Sequence, residues 1–521
     1  MPGMRIRIMA LTAVALTAAG CGQLPPAPLA SETTAPPSAP STSAPSPSAS
    51  ASATSGGEDT RPALATVQGT VEPNYKAELV GLNRVGGKHL IVQLRLSTST
   101  DKPLHWQAPL ADPMRPLKWR WPSGIAVLDA PAHRWLMPYK PADGECLCSD
   151  TDRDDLKPII DPGESLTVYA VLPAPSGNPA TTTIVTPIGP PMVDVPISDD
   201  PPVPPPGQQL PDADASQVET VSHLIETPSQ SLDRTEETTD DGADLKVSLS
   251  SDVLFALNKA TLTSRARTVL AKAAKLIDTS ADTTIEVDGH ADSSGTDAIN
   301  EPLSRRRAEA VRQALTQLIT RDQVTFKANG YGSRRPLYSN SSDEGRRRNR
   351  RVTITFAKPA PAEVPATGTT ASPLPEGEGT TATVRAKGVP FDLKVTAFRR
   401  MPGDLGLLRY TITNRGDGKA WYHDLNWADD WNAFKYHAAT NIQVTDPAAR
   451  RLYRPARVIV AKGEEPGTYC ACTNTSGVAL SAMNFEPGET KEFWSLYALP
   501  AQADALTVKV ATWRALQVPL S

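Results

Sequence analysis

Proline-rich, low-complexity blocks divide this chain, and only the stretches between the blocks can each bury a core. The 521 residues include 50 prolines, too many for one compact fold, and they cluster at 22–65, 201–244 and 359–383. The first block is almost all Pro, Ser, Thr and Ala, a composition that cannot bury enough apolar surface to fold. The second is Pro-rich and then acidic, and we interpret all three blocks as linkers. The predicted domains between them are 66–200, 245–358 and 384–521.

The N-terminus has the pattern of an export signal. Basic residues precede an apolar run from Ile8 to about Ala19, which is too short to span a bilayer. Small residues stand just before Cys21, which resembles a lipobox. We therefore predict a lipoprotein signal peptide at 1–21, with Cys21 lipidated and so holding the chain at a membrane. An ordinary cleaved signal is the alternative. The spacer after it could reach on the order of 100 Å as polyproline.

The other four of the five cysteines form two Cys-x-Cys pairs, Cys146/Cys148 and Cys470/Cys472. In an exported protein an even set favours disulfides, provided that each pair brings its Cα atoms within about 4.4–6.8 Å. Thiolates also suit copper(I) or zinc, but no histidine or further cysteine stands at ligand spacing. We predict disulfides and no metal site, and leave the connectivity open.

The segments 66–200 and 384–521 resemble two copies of one unit. Each has an alternating strand near its start, then its Cys-x-Cys pair, then a Pro-Gly-Glu turn, as at Pro162 and Pro487. Short alternating strands between Pro/Gly turns predict an all-β sandwich of immunoglobulin-like shape, which says nothing about function.

Strands and helices alternate in the central segment. We predict a first helix over 264–277, capped by Thr263, after a strand at Val253-Leu254-Phe255. The expected buried stripe of that helix is Ala266, Val269, Leu270, Ala273 and Leu276. A second helix has apolar residues at helical spacing, at Ala308, Val311, Leu315 and Leu318. Further strands are expected at 284–288, 323–328 and 351–356. The fold class is thus multidomain α+β, with a central α/β sandwich that has its helices on one face.

Two ordered motifs mark this central segment. The first reads Gly289-His290-Ala291-Asp292, followed by Asn300, Leu303-Ser304 and Arg307-Ala308; the second has Gly330-Tyr331-Gly332, Pro336, Glu344-Gly345-Arg346 and Asn349-Arg350-Arg351-Val352. Both are similar to the peptidoglycan-binding domain of the OmpA family. The resemblance covers about 245–358.

The resemblance implies a site for the diaminopimelate of peptidoglycan stem peptides, a group with an amine and a carboxylate on one carbon. Asp292 is expected to accept a hydrogen bond from the amine, and Arg307 to bind the carboxylate through the parallel N–H donors of its planar guanidinium. Without the motif, Asp292 would be read as a turn residue and Arg307 as a solvated helix residue.

Further residues are assigned to the site by the same resemblance. Asn300 is expected to cap the helix, and Leu303 and Ser304 to orient it. Asn258 is a possible polar contact, and Arg351 either frames the site or faces outward. The family usually has Thr where Ala291 stands, and often an acid where Ala256 stands, which alters the expected binding of the amine.

Other classes of function are disfavoured. The net charge is only −4, and the arginine runs at 305–307 and 346–351 lack an aromatic stacking platform, so nucleic acid is not expected as a partner. No nucleophile elbow, HExxH motif or paired carboxylates indicate an enzyme, and no cofactor is implied.

The leading hypothesis is therefore a non-enzymatic envelope lipoprotein that tethers a membrane to peptidoglycan. The alternative is a receptor or adhesion protein whose β-sandwich domains bind an unknown ligand. Composition favours the outer face of an actinobacterial cytoplasmic membrane, whereas the family is more usual in the outer membrane of Gram-negative cells.

Overall fold

The structure is a computed structural model. It describes residues 58–70, 72–114, 120–142, 144–214, 217–359, 380–426, 434, 438–461, 467–473 and 483–521. The predicted signal peptide, Cys21 and most of the spacer therefore lie outside the described residues, as does 360–379 of the third linker. Over the described ranges, the helices are all too short or too polar to cross a membrane.

The first β unit consists of two packed sheets. Its elements are β1 Ala65–Gln68, β2 Tyr75–Val85, β3 His89–Thr98, β4 Leu104–His105, α1 Gln107–Leu110, β5 Ala126–Asp129, β6 Arg134–Leu136, β7 Lys140–Pro141, β8 Ile159–Ile160, β9 Ser165–Pro173, β10 Thr181–Thr186 and β11 Gly189–Pro196. One sheet has the order β1-β2-β3-β9, and β5, β10 and β11 pair in another. Leu94, Val168 and Ile184 belong to the buried core between them.

The segment 201–244 is not the linker that we predicted. It contains β12 Val218–Glu219, β13 Ser222–Ser231 and β14 Glu236–Asp240. Strand β13 hydrogen-bonds to β6 of the first unit and to β14, and it also pairs with two strands of the second β unit. The acidic residues that suggested a solvated linker are paired instead: Glu236 meets Arg451 at 2.9 Å, and Glu237 accepts from Tyr338 at 2.9 Å.

The central domain is a sheet with helices packed on it. Its elements are β15 Asp244–Ser250, α2 Ser251–Leu254, α3 Ser264–Thr279, β16 Thr284–Gly289, α4 Asp297–Leu318, β17 Thr325–Gly330, α5 Asp343–Asn349 and β18 Arg351–Ala357. The strand order is β15-β18-β16-β17, with β16 and β17 parallel. Leu270 of α3 and Val311 of α4 pack with Val287 and Ile354 of the sheet in one core.

Helix α3 forms where its sequence predicts. The Thr263 hydroxyl accepts from the Ala266 backbone N–H, as an N-cap does. The stripe is confirmed from Ala266 to Ala273, but Leu276 is 37% exposed and Ile277 is buried in its place.

The strand predicted at 253–255 is wrong. Val253 and Leu254 lie in the short helix α2, and the strand precedes them at 244–250. An apolar run of three residues does not distinguish helix from strand. The partners that make 244–250 a strand, β14 and β18, are supplied by tertiary pairing.

The second β unit follows the central domain. Its strands are β19 Thr381–Ala386, β20 Val389–Met401, β21 Leu405–Asn414, β22 Ala420–Trp421, β23 Ile442–Asp446, β24 Arg451–Tyr453, β25 Arg457–Val460, β26 Gly467–Cys470, β27 Asn484–Phe485, β28 Thr490–Ala498, β29 Ala505–Val510 and β30 Leu516–Pro519, with short 3-10 helices at Pro402–Asp404 and His423–Leu425. One sheet has the order β19-β20-β21-β28. The immunoglobulin-like shape of both units stays a prediction.

Both Cys-x-Cys pairs are disulfides. The Cα atoms lie 5.3 Å apart in Cys146–Cys148 and 5.2 Å apart in Cys470–Cys472, inside the range that a bridge requires. The prediction of disulfides is confirmed, and each bridge joins the two cysteines of one pair.

The three parts contact one another through apolar and ionic groups. Trp135 of the first β unit stacks on Trp494 of the second, with ring centroids 6.4 Å apart, inside a shared apolar cluster. Lys358, at the end of the central domain, pairs with Asp240 at 2.7 Å and with Asp404 at 2.9 Å. The described residues thus belong to one compact unit.

Candidate functional site

Asp292 lies in the turn between β16 and α4. Its carboxylate accepts a hydrogen bond from the Ser294 backbone at 2.9 Å and pairs with Arg350 at 2.7 Å. Burial raises the pKa of Asp292, but the hydrogen bonds from Arg350 and Ser294 outweigh it and leave the pKa below its ordinary value. Asp292 is therefore an anion at neutral pH. A carboxylate has about four acceptor positions, so these contacts leave room for a ligand donor.

Arg307 lies on α4 and is only 8% exposed. Its Nε donates to the Lys259 carbonyl at 3.1 Å, and its guanidinium carbon lies 5.2 Å from the centre of the Phe255 ring. Burial lowers the pKa of Arg307; the charges of Asp252 and Asp292 oppose this lowering, and the charge of Arg350 adds to it. Within the described ranges no carboxylate forms an ion pair with it. The Nη atoms are thus available to an anion.

Arg350 is the site residue that sequence reasoning missed. Arg350 pairs with Asp252 as well as with Asp292: its Nη2 and Nε donate to the Asp252 carboxylate at 2.7 Å and 3.0 Å. The hydrogen bonds to Asp252 are the largest cause of its raised pKa. Asp252 lies in α2, four residues before Ala256.

Arg351, which we assigned to the site, does not reach Asp292. Its side chain donates to the carbonyls of Asn349 and Arg335, and burial lowers its pKa to about 10. The alternation of side chains along β18 predicts which face of the sheet Arg351 points to. Val352 and Ile354 are buried in the core with α4, and residues at odd distance from them point to the other face of the sheet.

Asn300 holds the Asp292 turn, and Ser304 holds the loop at Gly332. The Asn300 side chain donates to the Asp292 carbonyl at 3.1 Å, and Ser304 accepts from the Gly332 backbone at 3.0 Å. Leu303 is half-buried. Asn300 is not the cap that we expected, because α4 begins earlier and its N-cap is Thr296.

Gly289 lets β16 approach α4 closely. A Cβ atom at this position would lie 2.1 Å from the Ser304 carbonyl oxygen, closer than any side chain tolerates. The glycine of the motif therefore sets the distance between the strand that carries the Asp292 turn and the helix that carries Arg307.

Asn258 is exposed, at a φ of 56°, in the loop whose next residue accepts from Arg307. Asn258 therefore lies next to the site but outside the hydrogen bonds and ion pairs described above.

His290 is a packing residue. It is buried and stacks on Tyr331, with ring centroids 5.5 Å apart. Burial, helped by the charges of Arg351 and Arg335, lowers its pKa to about 3, so the ring is neutral at physiological pH. No group of three potential metal ligands occurs among the described residues.

The arrangement defines a class of site. An anion and a partly unpaired guanidinium lie on a turn and a helix of one α/β sandwich, and a second arginine, Arg350, pairs with both that anion and a second acid, Asp252. Such a pair matches a zwitterionic group, in which an ammonium and a carboxylate lie close together.

The comparisons identify the family. The sequence model of the OmpA family matches residues 254–350. The putative lipoprotein YfiB of Escherichia coli is 36% identical over 124 residues, which are 23% of this chain and 76% of that protein. The chain belongs to the OmpA family.

Other relatives match over shorter parts. Outer membrane porin F of Pseudomonas aeruginosa is 49% identical over 70 residues, 13% of this chain and 20% of the porin. The chain thus spans about a fifth of the length of that relative. The solved cell wall anchor of the type VI secretion system from Pseudomonas aeruginosa is 28% identical, with 24% of this chain and 90% of that chain covered and a TM-score of 0.22.

Proposed function

We propose that this protein is a non-enzymatic lipoprotein of the cell envelope that binds peptidoglycan non-covalently through the diaminopimelate of its stem peptides. The observation that carries the proposal is the buried guanidinium of Arg307, which lacks a carboxylate partner in the described structure and is near enough to the ionised Asp292 for the two charges to interact. Membership of the OmpA family, and the similarity of this chain to an outer membrane porin and a putative lipoprotein, support an envelope location.

The expected affinity of one site is low. Each charge-assisted hydrogen bond contributes about 1.5–3 kcal/mol, and ordering the peptide opposes the sum. A wall offers many copies of the ligand, and a lipid at Cys21 would keep the protein near them, so the high effective concentration makes weak contacts sufficient. The result would be a reversible tether between a membrane and the wall.

We also infer that the two β units are copies of one fold. The matching strand orders, β1-β2-β3-β9 and β19-β20-β21-β28, and the equivalent disulfides support this. A receptor role for the β units remains the second hypothesis. Deleting one unit would expose the apolar cluster around Trp135 and Trp494, so surface substitutions are the better way to test it.

Co-sedimentation of the full chain with purified peptidoglycan tests the proposal. Wild type is expected to pellet, and free diaminopimelate to release it. Asp292→Asn and Arg307→Ala are each expected to weaken retention at least tenfold, since each removes a charge-assisted contact. Asp297→Asn and Arg306→Ala are the matched controls, because both residues are exposed neighbours. Retention that the site variants and the controls change equally would refute the assignment.

A further inference from the structure

A long groove separates the start of α3 from the second half of α4. Its volume is about 740 Å³. Ala310 and Ala314 of α4 line it, and Gln313, Gln317 and Arg267 contribute polar groups. The small side chains leave the space open, and the amides can hydrogen-bond to a backbone laid between the helices.

The groove adjoins the loop that Arg307 contacts. Arg307 donates to the Lys259 carbonyl, and the next residue, Ala260, lines the groove. Ala310 lies one turn after Arg307 and therefore on the same side of α4. From Arg307 to Leu318, at the far end, the helix rises roughly 16 Å, which is the length of about four or five extended residues.

The charge of the groove favours an acidic ligand. Arg267 is the one ionisable residue in its lining, which contains no Asp or Glu. The nearby Glu309 is already held by Arg312 at 2.6 Å. Arg267 itself is exposed and has no hydrogen bond or ion pair to the part of the chain that the structure describes. A ligand with a free carboxylate would meet a cation there and no competing anion.

We infer that this groove holds the remainder of the stem peptide, in extended form, with one of its free carboxylates at Arg267. The inference rests on the proposed function, since the diamino acid at Asp292 and Arg307 would place the peptide at the mouth of the groove. The site would then recognise a peptide, and not the diamino acid alone.

Calorimetric titration of the full chain with two probes tests this. The probes are free diaminopimelate and the stem tetrapeptide L-Ala-D-Glu-diaminopimelate-D-Ala. Wild type is expected to bind the tetrapeptide about tenfold more tightly than the free diamino acid, by one more charge-assisted contact. Arg267→Glu should abolish that difference and leave the affinity for free diaminopimelate unchanged.

Two further variants make the outcomes decisive. Ala314→Trp fills the groove without a charge change and should act as Arg267→Glu does. Lys272→Glu makes the same charge change at another exposed position of α3 and should have no effect. Equal binding of both probes by wild type, or equal losses in Arg267→Glu and Lys272→Glu, would overturn the groove inference. Failure of wild type to bind free diaminopimelate would overturn the proposed function as well.

Discussion

Arg350 occupies one side of the Asp292 carboxylate and holds Asp252 at the same time. This arrangement keeps Asp292 ionised in a buried turn. A ligand amine must therefore share the Asp292 carboxylate with the positive charge of Arg350. Arg350 therefore positions the acceptor, while Arg307 remains the group available to a ligand carboxylate.

The pH dependence of wall binding follows from Asp292. Its pKa lies below the ordinary value of about 3.9, so the carboxylate is charged above that pH and is protonated only as the pH falls further. His290, with a pKa of about 3, does not titrate near neutrality. We expect retention on peptidoglycan to be constant from about pH 8 to 5 and to fall below about 4. Co-sedimentation over this range measures it, and a midpoint near pH 6 would contradict the assignment.

Arg307→Lys separates charge from geometry. Lysine keeps a cation but cannot present two parallel donors to a carboxylate, nor match the stacking of the guanidinium on Phe255. We expect retention about tenfold weaker than wild type, measured by co-sedimentation. Arg306→Lys is the control. Binding of Arg307→Lys at wild-type strength would show that the two parallel donors of the guanidinium are not used.

At the scale of elements, the Thr263 cap stabilises α3 twice. Its hydroxyl accepts from the Ala266 N–H and donates to the Val253 carbonyl at 2.8 Å. Thr263→Ala should lower the free energy of unfolding by about 1–2 kcal/mol, as measured by denaturant titration. Thr268→Ala, at an exposed position of the same helix, is expected to cause no loss.

The close approach of β16 and α4 predicts a larger effect. Gly289→Ala places a methyl group against the Ser304 carbonyl, and either the strand or the helix must move. We expect a loss of about 1–3 kcal/mol in stability together with weaker wall binding, because the same contact orients Asp292 and Arg307. Gly418→Ala, where a Cβ would meet nothing within 4 Å, should leave both unchanged. Unchanged binding in Gly289→Ala would argue against this spacing as a determinant of the site.

The sequence predicted the elements whose signals are local and missed those made by distant pairing. Helix α3 has a cap and a regular apolar stripe, and both disulfides join cysteines two residues apart. By contrast, β13 is polar, with the sequence Ser-His-Leu-Ile-Glu-Thr-Pro-Ser-Gln-Ser, and becomes a strand because it hydrogen-bonds to four others. Arg350 was not predicted, because its acidic partners Asp292 and Asp252 lie 58 and 98 residues away along the chain. Arg351, which was expected either to frame the site or to face outward, donates to backbone carbonyls.

At the scale of the whole molecule, β13 and β14 connect the central domain to both β units. Tyr338 and Arg348 of the central domain meet Glu237 of β14, the arginine at 3.5 Å. Part of the arginine run therefore has a structural partner within the chain. The central domain and the β units are joined through paired strands and buried ion pairs, which favours one body over separate modules.

This connection predicts how fragments behave. A fragment of residues 245–358 lacks Glu237, so it exposes Tyr338 and leaves Arg348 without this carboxylate. A longer fragment, 222–358, retains the hairpin of β13 and β14 and therefore Glu237. We expect the shorter fragment to melt at least several degrees lower in a thermal scan, as loss of a buried partner implies. Glu237→Gln in the longer fragment should reproduce part of the loss. Equal melting temperatures for the two fragments would show that the hairpin does not support the domain.

The most direct test of the central claim compares two kinds of wall. The full chain is mixed with purified peptidoglycan whose stem peptides carry diaminopimelate, and with peptidoglycan that carries lysine at the same position. Lysine keeps the side-chain amine but lacks the second carboxylate, so the guanidinium of Arg307 would have no anion to bind. We expect retention on the diaminopimelate wall and at least tenfold less on the lysine wall. Equal retention on both walls would contradict it.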